Sequence, residues 1–332
     1  MSSFELLSPD AALGAAERAY AISLDGTVDA YPSYVNRVYG LRGDDGARYV
    51  AKFYRPGRWT RDAILDEHRF LLDCTQAEIP VIAPLAGANG ETLHAVSVAD
   101  DAGGDSPQTF LFTLFPRFGG RAFEPESDED LERLGGILGR CHAVGSQREA
   151  VGRVVLGREL TRSFVTELLD GALVHPECRD DFSQVCGETL EAIGPLFEGM
   201  KRIRIHGDCH RANILVRPDT GLVLIDFDDM MSGPAVQDLW LILPGYASDS
   251  GREIELLLEG YERFAQFDRG TLALIEPLRF MRMIYFLAWQ ARQRADYWFH
   301  QTYPDWGTEA FWIKETEDLR VQAEVIRAGL KD

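Results

Sequence analysis

His206-Gly207-Asp208-Cys209-His210-Arg211-Ala212-Asn213, followed thirteen residues after Asn213 by Asp226-Phe227-Asp228, is the stretch that decides how this chain is read. Between the two segments lie two apolar runs of β type, 214–216 and 222–225, joined by the turn Pro218-Asp219-Thr220-Gly221. A strand–turn–strand returns the chain to the level at which it left, so Asn213 and Asp226 are expected at the same mouth as Asp208. Phosphoryl transfer asks little covalent chemistry of a protein. It needs a group that orients and deprotonates the attacking hydroxyl, and oxygen ligands for the metal that bridges the phosphates. The Asp208 carboxylate suits the first task. Asn213 and Asp226 offer hard oxygen donors of the kind Mg²⁺ takes, since that ion keeps most of its shell as water and substrate phosphate. The five-residue step from Asp208 to Asn213 is that of a kinase catalytic loop. Taken singly, each of these residues is ordinary turn chemistry; the ordered combination is what carries the reading. A zinc cluster of His206, Cys209 and His210 is the rival. Its ligands crowd into five residues without a distant second pair, which fits no common zinc spacing, so His206 reads instead as a structural residue holding the loop.

Working outward, the nucleotide side is expected earlier in the chain. Tyr49-Val50-Ala51-Lys52-Phe53 ends a β-type run on a lysine that can reach the α- and β-phosphates. Glu67, fifteen residues on, lies on a predicted helix and can orient that lysine; the alternative is two unrelated surface charges. No GxGxxG precedes Lys52. Tyr31-Pro32-Ser33-Tyr34-Val35-Asn36 stands where a phosphate-covering loop belongs, with Ser33 offering its hydroxyl and N–H to phosphate and Asn36 bracing the turn. An ordinary Pro-Ser turn is the alternative. Adenine is expected against 114–117.

The remaining elements follow from local signals. Ser8-Pro9 opens a helix to about Tyr20. The Gly43-Asp44-Asp45-Gly46 turn joins two β-type runs, Thr60 caps a helix to Asp73, and 109–115 reads as a strand. Ser127 and Asp130 have capping-box spacing before a helical run to Val144. Helices are expected at about 161–170, 181–199, 235–243, 253–267, 277–295 and 309–329. The fold class is therefore α+β: a two-lobed protein-kinase-like fold, with a β-rich N-terminal nucleotide-binding lobe over 1–115 and a mainly helical catalytic and substrate lobe over 116–332.

Composition bounds the partners. The chain has 332 residues, 45% apolar and 26% charged, with 34 Lys and Arg against 53 Asp and Glu, a net charge of −19. A field of that sign repels nucleic-acid phosphates and anionic lipid over long range, so neither nucleic acid nor membrane is expected as a partner. It does not exclude ATP, because a few cations and a metal reverse the field locally. Cys74, Cys141, Cys178, Cys186 and Cys209 are scattered, odd in number and without a CxxC pair, which suits free thiols in a reducing compartment. The first twenty residues carry Glu5, Asp10, Glu17 and Arg18 with no apolar run of signal type, and 281–289 is broken by Arg282 and too short to span a bilayer. The expectation is a cytoplasmic protein.

At these residues the chain resembles the aminoglycoside phosphotransferase-like kinase superfamily, which includes choline and homoserine kinases. Within it, the runs Lys52-Phe53-Tyr54-Arg55-Pro56 and Gly233-Pro234-Ala235-Val236-Gln237-Asp238-Leu239-Trp240 are similar to those of bacterial serine/threonine protein kinases of that fold. The resemblance covers roughly 31–296. It implies Asp208 as proton acceptor, Asn213 and Asp226 as magnesium ligands, Ser33 as an ATP contact, and a monomeric cytoplasmic protein acting in stress responses. Two positions depart from ordinary protein kinases: Gly207 replaces the arginine of the HRD triplet, and Asp228 replaces the DFG glycine. Asp238 is read as an anchor of the catalytic loop or as a plain carboxylate at a helix N-terminus. The functional expectation is a serine/threonine protein kinase that uses ATP and Mg²⁺. The alternatives are a small-molecule kinase acting on an amino alcohol or aminoglycoside, and a nucleotide-binding pseudokinase.

Overall fold

The structure, a computed structural model, describes residues 4, 6–33, 35–99, 107–217, 221–296 and 299–330. In chain order it begins with α1 (Pro9–Tyr20), β1 (Leu24–Tyr31), β2 (Arg37–Gly43), β3 (Arg48–Phe53), α2 (Arg61–Gln76), β4 (His94–Val98), β5 (Gln108–Pro116) and β6 (Arg121–Ala122). Then come α3 (Asp128–Gly145), α4 (Arg158–Asp170), α5 (Arg179–Ile193), β7 (Ile203–Ile205), β8 (Ile214–Arg217), β9 (Gly221–Leu224) and β10 (Met231–Gly233). The rest is helical: α6 (Val236–Trp240), α7 (Gly251–Tyr261), α8 (Ile275–Gln293), the single-turn α9 (Phe299–Thr302) and α10 (Glu309–Gly329). The α+β class expected from the sequence is the class observed. The chain folds into two compact units. The first comprises Met1–Glu124, Ala150–Arg153 and Arg211–Met230, the second Pro125–Glu149, Val154–His210 and Met231–Asp332.

In the first unit, an antiparallel sheet runs in the order β1-β2-β3-β5-β4. Its best-defined corner is the predicted turn between β2 and β3. Gly46 adopts φ +83°, open to glycine at no steric cost, and Asp45 Oδ1 accepts from the Ala47 N–H at 2.9 Å. This register sets Lys52 between Val38 and Thr113, in the middle of the sheet. Helix α1 starts where Ser8 Oγ accepts the Ala11 N–H, and it lays Ala12, Ala15 and Ala16 on the sheet. These small side chains bring the helix close enough to pack against Tyr39, Phe53 and Phe112, and Phe53 stacks on Phe112 at 5.0 Å. A second sheet, β6-β8-β9, holds the hairpin, whose Leu224 N–H donates to Pro80 O just beyond α2. The turn at 218–220 lies outside the described residues, as does Tyr34.

In the second unit the capping box forms as expected, with Asp130 Oδ2 accepting from the Ser127 N–H at 3.1 Å. Helices α3 and α7 pack backbone to backbone. A Cβ on Gly135 would stand 1.9 Å from Leu257 O, and one on Gly260 would stand 1.8 Å from Glu132 O. Only glycine fits there, and the close approach brings His142 of α3 beside Tyr261 of α7, with Nδ1 3.1 Å from the phenol oxygen. The short pair β7-β10 leads into and out of the segments that carry chemistry. Strands β1 and β4 have no strong sequence signal. Both are sheet edges, half-buried at best, and β1 carries Asp25, Gly26 and Asp29. All five cysteines are free and buried, and no described helix is long and apolar enough to cross a membrane.

Candidate active site

The first unit lines a cavity of about 250 Å³. Its walls combine apolar side chains, among them Val38, Val50, Phe115 and Leu215, with the polar groups of Ser33, Lys52, Glu67 and Asp226. Lys52 is almost fully buried, and a buried ammonium persists only if its charge is matched. Its Nζ lies 3.0 Å from Asp228 Oδ1, 3.2 Å from Asp226 Oδ1 and 4.0 Å from Glu67 Oε1. Burial alone would depress the ammonium's pKa, but the Asp228, Asp226 and Glu67 charges override it and hold the pKa well above the ordinary lysine value. Glu67 has a shorter partner, since its Oε2 accepts from Arg153 Nη2 at 2.8 Å. Burial raises the Glu67 carboxyl pKa, with Lys52 and Arg153 opposing the shift. Arg153 also donates to Ala63 O at 2.7 Å and Asp228 O at 2.6 Å, and it lies over the Trp59 ring at 4.3 Å. One guanidinium thus ties α2 to the turn after Asp226.

Asp226 stands at the end of the hairpin with φ +59° and ψ +65°, the left-handed region that a non-glycine residue enters at a cost. The conformation lifts its carboxylate out, and its side chain is 54% exposed while Asp228, two residues on, is buried. Asn213 stands one residue away across the hairpin, where Asn213 O accepts the Ile225 N–H at 3.0 Å and Ile214 pairs with Leu224. An exposed carboxylate is a donor of the kind a hard cation with few protein ligands takes. Among the described residues no group of three or more His, Cys, Asp or Glu forms a denser metal cage. Asp228 instead is locked internally, with Oδ2 2.9 Å from Arg58 Nη1. Burial opposes its charge, but Lys52, Arg58 and Arg153 keep its pKa below the usual carboxylate range. Ser33 Oγ accepts the Asn36 N–H at 3.3 Å, and Asn36 Oδ1 accepts the Arg55 N–H at 3.1 Å, so this turn is braced to β3.

The second unit holds Asp208. The loop before it is built on a buried carboxylate: Asp238 of α6 accepts the His206 N–H at 2.7 Å and the Gly207 N–H at 2.8 Å. His142 Nε2 lies 2.9 Å from the same carboxylate. Both N–H groups can face one carboxylate because Gly207 adopts φ +85°, which explains a glycine where protein kinases carry arginine. Asp238 therefore anchors the loop rather than serving only its own short helix. Gln237 Nε2 adds a bond to Gly207 O at 3.1 Å, and Asp208 N donates to His206 Nδ1 at 3.3 Å. The Asp208 carboxylate then receives Arg282 Nη2 from α8 at 2.6 Å on Oδ1, with His210 Nε2 3.5 Å from Oδ2. Burial disfavours its charge, but the His210 hydrogen bond and the Arg282, His210 and His206 charges outweigh burial, so its pKa sits well below the usual carboxylate range.

The first unit therefore brings Ser33, Lys52, Glu67 and Asp226 around one cavity, with Asn213 opposite Ile225 on the hairpin, while Asp208 is held in the second. Sequence reasoning did not assign roles to Arg58, Arg153, Asp228, His142 or Arg282. Arg282 had a signal, as the lone charge in the apolar run 281–289. Arg153 had none, because its partners lie 75 to 90 residues away.

A model of the phosphotransferase enzyme family matches residues 28–275. The chain belongs to that family. It is 37% identical over 326 residues to stress response kinase A of Escherichia coli strain K12, covering 98% of this chain and 95% of that one. It is 35% identical over 325 residues to serine/threonine protein kinase RdoA of Salmonella typhimurium strain LT2, covering 97% and 94%. Among solved structures, amicoumacin kinase hAmiN in complex with AMP-PNP, Ca²⁺ and Ami has the same fold, with a TM-score of 0.74 over 95% of this chain and 93% of that one at 20% identity. As a family member this chain is a kinase, an enzyme of phosphoryl transfer.

Proposed function

We propose that this kinase transfers the γ-phosphoryl group of ATP to serine and threonine hydroxyls of proteins in the cytoplasm, as part of a bacterial stress response. The observation that carries the nucleotide half is the buried Lys52 paired with Asp226 in a cavity lined by both apolar and polar side chains. Such a lining suits a nucleotide, with adenine against Val50 and Leu215 and phosphates at Lys52 and Ser33. Asn213 and Asp226 would hold Mg²⁺, which would supply positive charge against that of the phosphates. Lys52 orients the phosphates, with Glu67, Arg153 and Asp228 fixing its position. Asp208 accepts and aims the hydroxyl of the acceptor. Its depressed pKa keeps it ionised at every physiological pH, at the cost of basicity. A loose transition state tolerates this, because the hydroxyl need not lose its proton before the bond to phosphorus forms.

The protein acceptor is supported by the name of the Salmonella relative, a serine/threonine protein kinase aligned over 97% of this chain. The presence of Lys52, Asp208, Asn213 and Asp226 together speaks against a nucleotide-binding scaffold without turnover. Asp208→Asn tests the assignment. It is expected to lower phosphoryl transfer roughly 10²–10⁴-fold, the usual worth of general acid–base help, with ATP affinity nearly unchanged. Turnover like that of the unaltered protein would remove Asp208 from the chemistry.

A further inference from the structure

Helix α8 presents two opposite faces. Met281, Ile284, Leu287 and Ala288 are buried in the second unit. Arg282, Phe286 and Trp289, at steps of four and three, make a stripe on the other side. At one end of that stripe Arg282 donates to Asp208 Oδ1 at 2.6 Å. At the other, Phe286 is 45% exposed and stacks on Trp289, with ring centroids 5.5 Å apart and planes 9° from parallel. Tyr303 meets Phe286 edge-on at 6.5 Å. An aromatic platform continuous with the ion-pair partner of the proposed proton acceptor is unlike scattered surface apolar residues, which need no explanation.

We propose that this stripe is the acceptor-docking face, and that it selects a serine or threonine in an extended peptide with an aromatic side chain two or three residues away. The proposal rests on the reading of Asp208 as proton acceptor and of proteins as substrates. A helix rises about 1.5 Å per residue, so Phe286 and Trp289 lie roughly 6 and 10 Å along the axis from Arg282. An extended peptide covers those spans in about two and three residues at ~3.3 Å each. With the hydroxyl at Asp208, the second or third neighbour arrives over the rings, where offset stacking and apolar burial favour an aromatic group.

The test uses single-serine peptides with phenylalanine or alanine placed in turn at each position flanking the serine, assayed with the full chain and Mg·ATP. The unaltered protein is expected to prefer phenylalanine two or three residues from the serine, with kcat/KM roughly tenfold above the alanine peptide. Phe286→Ala, on an exposed side chain whose loss leaves the core intact, is expected to flatten that preference. A profile with no positional preference, or a preference that survives Phe286→Ala, would overturn the docking face while leaving the protein-kinase reading in place. Label on choline or aminopropanol with none on any peptide would overturn both together.

Discussion

Asp238→Asn tests how the catalytic loop is held. The carboxylate is fully buried, so solvent does not soften its loss. Its two oxygens take three donors: the His206 N–H and His142 Nε2 on Oδ2, and the Gly207 N–H on Oδ1. Asparagine keeps one oxygen and replaces the other with an NH₂ group. The oxygen can retain the His206 and His142 bonds, which leaves the Gly207 N–H facing a donor. The variant then loses one hydrogen bond to a charged acceptor, worth about 1.5–3 kcal/mol, and buries an unpaired N–H at about 1–3 kcal/mol. The terms add to about 2.5–6 kcal/mol, and because they overlap the loss is expected in the lower half of that range, about 2.5–4 kcal/mol. Stabilities of whole domains are about 5–15 kcal/mol, so the variant should fold but unfold at clearly lower urea. The loop around Gly207 should also slacken, lowering kcat by about tenfold or more while KM for ATP holds, because the groups that Asp238 holds, His142, His206 and Gly207, are not among the described residues that line the nucleotide cavity. Urea unfolding and steady-state kinetics on the same preparation decide it. An Asp238→Asn protein with unaltered stability and kcat would refute the anchoring role.

Three further outcomes are expected. Asp226→Ala should weaken Mg²⁺-dependent nucleotide binding in titration calorimetry, and unaltered Mg·ATP affinity would exclude Asp226 as the main metal ligand. Ser33→Ala should raise KM for ATP several-fold, the worth of about 1 kcal/mol of hydrogen bond; an unchanged KM would leave Ser33 only its bond to the Asn36 N–H. Arg282→Ala should move the acid limb of the kcat/KM profile to higher pH. The Asp208 pKa is depressed in the folded protein, so its contribution to stability is present above the ordinary carboxylate pKa and fades as pH falls through the folded value; removing the guanidinium raises that folded value. An acid limb that stays in place would show that Arg282 does not set the ionisation of Asp208.

What the sequence made legible was local. The Ser127–Asp130 box, the Ser8 cap and the Gly46 turn each settle their geometry within four residues, and each forms as read. The hairpin was legible because β8 and β9 are short apolar runs with a turn between them, which returns the chain so that Asn213 and Asp226 stand at the same end of the hairpin. Lys52 was legible as a charge at the end of an apolar strand. Its real neighbourhood was not, because Asp228 pairs with Lys52, and Arg153 with Glu67, from distant segments. Edge strands β1 and β4 escaped because their polar, half-exposed pattern differs little from that of a loop. Arg282 is legible in the sequence only as the charge that breaks the apolar run 281–289. In the folded chain it is the residue that meets Asp208.

The central claim is the identity of the acceptor, and one measurement addresses it directly. The purified chain is incubated with γ-labelled ATP and Mg²⁺ together with a bacterial protein extract and a panel of small alcohols that includes choline and an aminoglycoside, with Asp208→Asn run in parallel. The account predicts label on protein serine and threonine, recovered as the phosphoamino acids and absent with the Asp208 variant. Label confined to a small alcohol, or no transfer to any acceptor from a protein that still binds ATP, would contradict it.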